Sequence, residues 1–80
     1  MKGFLGKLRI VINGDIREVS ENITLAELIK FLQLTPERVA VELNRRVIRR
    51  SEWAETTFGE DDRIEIVHFV GGGSSPFSSI

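Results

Sequence analysis

A run of glycines closes an apolar strand: Ile64-Glu65-Ile66-Val67-His68-Phe69-Val70 leads straight into Gly71-Gly72-Gly73. Glycine has no Cβ, so such an end can enter a slot too narrow for any other residue. The chemistry this suits is the presentation of a main-chain carboxyl group. A small folded body would hand its own C-terminal end to an enzyme, with Gly71-Gly72-Gly73 entering the slot. Ser74-Ser75-Pro76-Phe77-Ser78-Ser79-Ile80 follows the glycines. Gly73 is therefore in a peptide bond to Ser74, and that use requires removal of residues 74–80 first.

Side-chain chemistry is poorly supplied, and no catalytic residue is expected. The chain has one histidine and no cysteine. That excludes disulfides, cysteine nucleophiles and cysteine-based zinc sites. A serine nucleophile would need a base, and His68 alone is available. Its simpler reading is an exposed or half-buried strand residue. The glycine run is not a phosphate loop, because no Gly-Lys-Ser/Thr follows. Nor does it fit a dinucleotide fingerprint, since it comes after the last strand with no helix behind it. Glu60-Asp61-Asp62 could coordinate a cation but reads more simply as a solvated loop. Neither a metal nor a bound cofactor is expected.

Three features could meet a partner. Arg45-Arg46-Val47-Ile48-Arg49-Arg50 concentrates positive charge on one hairpin. Arg45 and Arg46 are candidate docking residues for an acidic surface. The cluster reads equally well as a solvated edge that resists strand pairing. Nucleic acid is a weaker choice, because no aromatics interleave the arginines and the net charge is -1. Val11, Val67 and Phe69 are candidates for an apolar patch on an open sheet face. Trp53 is most simply a lid over the end of the core, with a partner anchor as the alternative.

The elements that must position these residues are legible from periodicity. Leu8, Ile10 and Ile12 alternate with Arg9 and Val11, a half-buried strand. Asn13-Gly14 is a strong hairpin signal, because both turn positions need φ > 0. Ile16-Arg17-Glu18-Val19 returns. Thr24-Leu25-Ala26-Glu27 is a capping box, with Ile23 and Leu28 placed for a hydrophobic staple. Leu25, Leu28, Ile29 and Leu32 recur at helical spacing, so a helix is predicted over 25–33. Pro36 disfavours helix at Thr35. Val39, Val41 and Leu43 mark a third strand, Asn44-Arg45 a turn, and Val47-Ile48-Arg49 a short fourth strand. Residues 51–57 predict a helical turn capped by Ser51, and 63–69 the last strand.

This order of two strands, a helix and three further strands describes an α+β β-grasp domain. Its mixed sheet of four to five strands packs on one main helix, with the last strand central beside the first. Eighty residues allow one small domain, and 41% hydrophobic with 29% charged residues is normal for a globular one. The expected division is a flexible N-terminal segment (1–7), the β-grasp domain (8–70) and a flexible C-terminal tail (71–80). No apolar run is long enough to span a membrane, and 1–8, broken by Gly3, Gly6 and Lys7, is no signal peptide. A cytoplasmic protein is the default expectation.

Three segments carry a resemblance. They are Val39-Ala40-Val41-Glu42-Leu43-Asn44; then Val47 and Arg49-Arg50-Ser51-Glu52-Trp53-Ala54-Glu55-Thr56; then Asp62 through Gly73. In this order and spacing, together with Thr24-Leu25-Ala26-Glu27-Leu28, they closely resemble the ThiS family. These are ubiquitin-like sulfur carriers of thiamine biosynthesis, related to the small subunit of molybdopterin synthase (MoaD). The resemblance covers roughly 8–73.

It implies that Gly73 is adenylylated with ATP by a ThiF-like activating enzyme. A sulfur-transfer enzyme would then convert it to a thiocarboxylate, and a ThiG-like thiazole synthase would take the sulfur. A tail-processing protease would supply the free Gly73 carboxylate. The chain itself would be substrate and carrier, not enzyme, and ATP would be used by the partner. Extended, Val70 to Gly73 reaches about 13 Å at about 3.3 Å per residue, enough to place a carbonyl inside a partner. Two departures stand out: Arg45 replaces the glycine common after the hairpin asparagine, and the family typically ends at the diglycine. Alternatives are sulfur delivery to molybdopterin or sulfur amino acids, and a ubiquitin-like protein modifier that joins Gly73 to a lysine.

Overall fold

The computed structural model describes residues 6–69 and the backbone of Phe77–Ser79. Val70 and the glycines at 71–73 lie outside the described residues. The elements are β1 (Lys7–Ile12), β2 (Asp15–Ser20), α1 (Leu25–Phe31), β3 (Val39–Leu43), β4 (Arg46–Val47), β5 (Arg63–Phe69) and β6 (Phe77–Ser79). Short 3-10 turns at Pro36–Arg38 and Arg50–Glu55 fill the connections. The sheet order is β2-β1-β5-β3-β4, with β6 paired to β5. β5 lies parallel to β1 and antiparallel to β3, so the last long strand is central, as its apolar content predicts.

The β-grasp core follows from alternation. Ile10 and Ile12 of β1, Val39 and Val41 of β3, and Ile64 and Ile66 of β5 all turn to the face that α1 covers with Leu25, Leu28 and Ile29. Ile10, Leu25, Leu28 and Ile29 are fully buried. Each contributes about 1.5–3 kcal/mol by leaving water. Trp53 is buried as well and donates from Nε1 to the Ile48 carbonyl at 3.0 Å. It seals the core and is not available as a partner anchor.

Thr24 Oγ1 accepts from the Glu27 N–H at 3.1 Å, and Glu27 Oε1 accepts from the Thr24 N–H at 3.0 Å, completing the capping box. The helix is shorter than the predicted 25–33. Gln33 turns left-handed (φ 62), its N–H donates to Lys30, and the Leu34 N–H reaches back to Ile29. That pair of bonds is the Schellman closure, which usually takes glycine. With glutamine in its place, the sequence carries no stop signal there.

Two other boundaries differ from expectation. The fourth strand is Arg46–Val47, because Ile48 turns inward to the core. The turn after it begins at Arg50, with Arg49 in the cap position and no side-chain cap bond, so Ser51 is not its cap. Within the C-terminal extension, Phe77–Ser79 pairs as β6 with Val67, His68 and Phe69.

Candidate functional site

Of the residues expected to serve a partner, Val67 and Phe69 lie on the C-terminal half of β5, the strand that precedes the glycines in sequence. Two asparagines fix this strand from opposite edges, and both stand at the first position of a tight hairpin turn. Asn13 (φ 49) precedes Gly14 (φ 87), and Asn44 (φ 51) precedes Arg45 (φ 73). Asparagine tolerates this left-handed backbone better than most residues. The conformation also aims each amide at β5. Asn13 Nδ2 donates to the Ile66 carbonyl at 3.1 Å, and Asn13 Oδ1 accepts from the Ile66 N–H at 2.8 Å. Asn44 Oδ1 accepts from the Arg63 N–H at 3.0 Å, while its Nδ2 donates to Asp62 Oδ1 at 3.0 Å. Its main-chain N–H donates to the Arg63 carbonyl at 2.8 Å. Asn13 thus acts as a strand partner beyond the end of β1. Sequence reasoning assigned both residues to turns alone. The signal for more was that each opens a left-handed pair beside the central strand.

The acidic loop supports the same arrangement. Glu60 Oε1 accepts from the Arg9 N–H at 3.2 Å and its Oε2 lies 3.7 Å from Arg9 Nε. Asp62 Oδ2 accepts from the Gly59 N–H at 2.7 Å. These carboxylates brace the entry to β5.

Strand register places Val11, Arg63, Glu65, Val67 and Phe69 on the open face, with Ala40 and Glu42 of β3. Val11, Val67 and Phe69 share that face but do not form one patch. Val11 pairs with Arg63, and Val67 lies four residues further along β5, about 13 Å at about 3.3 Å per residue. Arg63 and Glu65 stand between. Val11 instead faces the exposed Ile16, while Val67 pairs with Ala40. His68 takes the opposite face and is half-buried opposite Val39.

The arginine cluster also divides. Arg45 lines a depression with Glu42, Asn44, Arg63 and Glu65 on the open face. Arg46 lines another opening with Leu43, Ile48 and Glu52. Arg50 Nη1 donates to the Pro36 carbonyl at 3.4 Å. No group of three or more metal-ligating side chains gathers among the described residues. No helix there is long and apolar enough to cross a membrane.

A five-strand path with one covering helix and β5 at its centre defines the β-grasp class. Comparison with known proteins narrows it. The model of the ThiS family matches residues 4–73. The crystal structure of thiamine biosynthesis protein ThiS from Geobacter metallireducens superposes with a TM-score of 0.72 at 33% identity. It covers 82% of this chain and 100% of that one. Sulfur carrier protein ThiS of Bacillus subtilis is 38% identical over 63 residues, 78% of this chain and 96% of that protein. A thiazole synthase of Magnetococcus marinus is 41% identical over 69 residues, 86% of this chain. This chain spans 21% of that protein's length, and 22% of a thiazole synthase from Paramagnetospirillum magneticum. The chain belongs to the ThiS family.

Proposed function

We propose that this chain is a sulfur carrier for formation of the thiazole moiety of thiamine, with Gly73 as the residue that bears the sulfur. The observation that carries the reading is where the family match stops. It ends at residue 73, the last of the three glycines that follow the central strand. β5 is held by β1, β3 and both turn asparagines, so the tail starts from a rigid base.

In this reading the Gly73 carboxylate attacks the α-phosphate of ATP in a ThiF-like partner and releases pyrophosphate. Carboxylate is a poor electrophile, and the acyl-adenylate supplies AMP as a leaving group. A sulfur-transfer enzyme then delivers sulfur at the sulfide level to the carbonyl carbon, the bond from that carbon to the AMP oxygen breaks, AMP departs with the bonding electrons, and a thiocarboxylate results. The chain contributes delivery: a folded handle and a side-chain-free end. The catalytic groups belong to its partners, so the chain is not itself an enzyme. Thiazole synthase is the favoured recipient, because relatives bearing that name contain a segment like this chain.

Gly73 must be freed from Ser74 for this chemistry, since an amide carbonyl has no carboxylate oxygen to attack ATP. Removal of 74–80 by a protease is part of the proposal. ATP–pyrophosphate exchange with the activating enzyme tests it directly. The chain ending at Gly73 should support exchange and the chain ending at Ile80 should not. Equal exchange by both would overturn the requirement for trimming.

A further inference from the structure

The edge of β5 that faces β1 has three successive occupants. The Val11 N–H donates to the Asp62 carbonyl and the Asn13 N–H to the Ile64 carbonyl, each at 2.9 Å. Asn13 then takes both main-chain groups of Ile66 through its side chain. Main-chain groups of a strand alternate between its two edges. Residues 62, 64 and 66 therefore face β1, and 63 faces β3, where Asn44 binds it. His68 is next on the β1 edge. β1 has ended, and the residue opposite His68 is Ser78 of β6. Without β6 the His68 N–H and carbonyl would form a bare strand edge, at the point where the tail leaves the domain.

We propose that Phe77–Ser79 is a self-blocking edge strand that occupies the His68 edge in cis and holds the C-terminal segment doubled back on the domain. Phe69 and Phe77 are directly opposite, so the chain leaves and returns on adjacent strands. Such strands lie about 4.8 Å apart. A site that takes one extended chain cannot take two side by side. While β6 is paired, any enzyme that reads this tail as a single extended strand competes with Ser78 for the same edge. Three residues make a weak strand, which suits a block that must yield. Its biological use rests on the reading of Gly73 as the reacting residue, whereas the block itself does not.

Amide hydrogen exchange at His68 tests the pairing in the full chain, in Ser78→Pro and in the chain ending at Gly73. Proline at 78 removes the donor that faces His68, whereas Ser79→Ala leaves it. Exchange at His68 should be roughly fivefold faster or more in Ser78→Pro and in the shortened chain, the worth of one net backbone hydrogen bond. Ser79→Ala should match the full chain, and Ile66 should stay protected throughout.

Subtilisin, which binds its substrate as an extended strand, supplies a second readout. Cleavage between 70 and 76 should be roughly fivefold faster in Ser78→Pro than in the full chain, for the same reason. Equal exchange at His68 in all forms would overturn the pairing, and equal cleavage rates would overturn the block. A protected His68 in a protein that never gains a thiocarboxylate would leave the block standing and remove the sulfur-carrier reading.

Discussion

Replacing Asn13 by glycine should destabilise the domain by about 1–3 kcal/mol, because its side chain makes two bonds to Ile66, each worth about 0.5–1.5 kcal/mol net. Glycine is the informative substitution. It keeps the left-handed turn (φ 49) without steric cost, so the loss reports the side-chain bonds and not the turn. Ile66 is 1% exposed, so water has little access to its neighbourhood. Urea denaturation is the assay. With a slope of about 1 kcal/mol/M for a protein this small, the midpoint should fall by about 1–3 M. The thermal midpoint should fall by about 4–8 °C for each kcal/mol lost. Amide exchange at Ile66 should accelerate beyond what global stability explains. A midpoint within about 0.3 M of the parent, with Ile66 still protected, would refute the claim that Asn13 serves as a strand partner.

Arg45→Gly should stabilise the chain by about 1 kcal/mol in the same denaturation assay, since glycine accepts φ 73 and arginine does not accept it readily. Thr24→Ala should cost about 1 kcal/mol through loss of the capping box, measured by thermal unfolding. Arg45→Glu with Arg46→Glu should slow association with the proposed ThiF-like activating enzyme at low salt and leave it little changed at high salt. Stopped-flow rates across ionic strength will show this, and a rate unchanged at low salt returns both residues to the solvated-edge reading. Gly73→Ala, in the chain ending at residue 73, should leave folding intact and impair ATP–pyrophosphate exchange, because an added Cβ crowds a narrow slot.

What could be read in the sequence was whatever rests on local pattern. Alternation at Leu8, Ile10 and Ile12, the Asn13-Gly14 pair and the Thr24–Glu27 box each specify an element within a few residues. The structure carries them unchanged. The helix end was not legible because Gln33 occupies a position where glycine would have announced the stop. The roles of Asn13 and Asn44 were hidden for another reason. Each binds a strand far along the chain, and only the sheet order brings them together. The proposed Val11–Val67–Phe69 patch followed from face assignment alone. It failed on register, which sets how far along β5 each residue stands. The return of Phe77–Ser79 depends on an edge left vacant where β1 stops short, again a property of the assembled sheet.

The most direct test of Gly73 as the sulfur-bearing residue is the intact mass of this protein isolated from its native host during thiamine synthesis. The expected species is a chain that ends at Gly73, with one carboxylate oxygen replaced by sulfur. A chain that still ends at Ile80 and carries no sulfur would contradict that assignment.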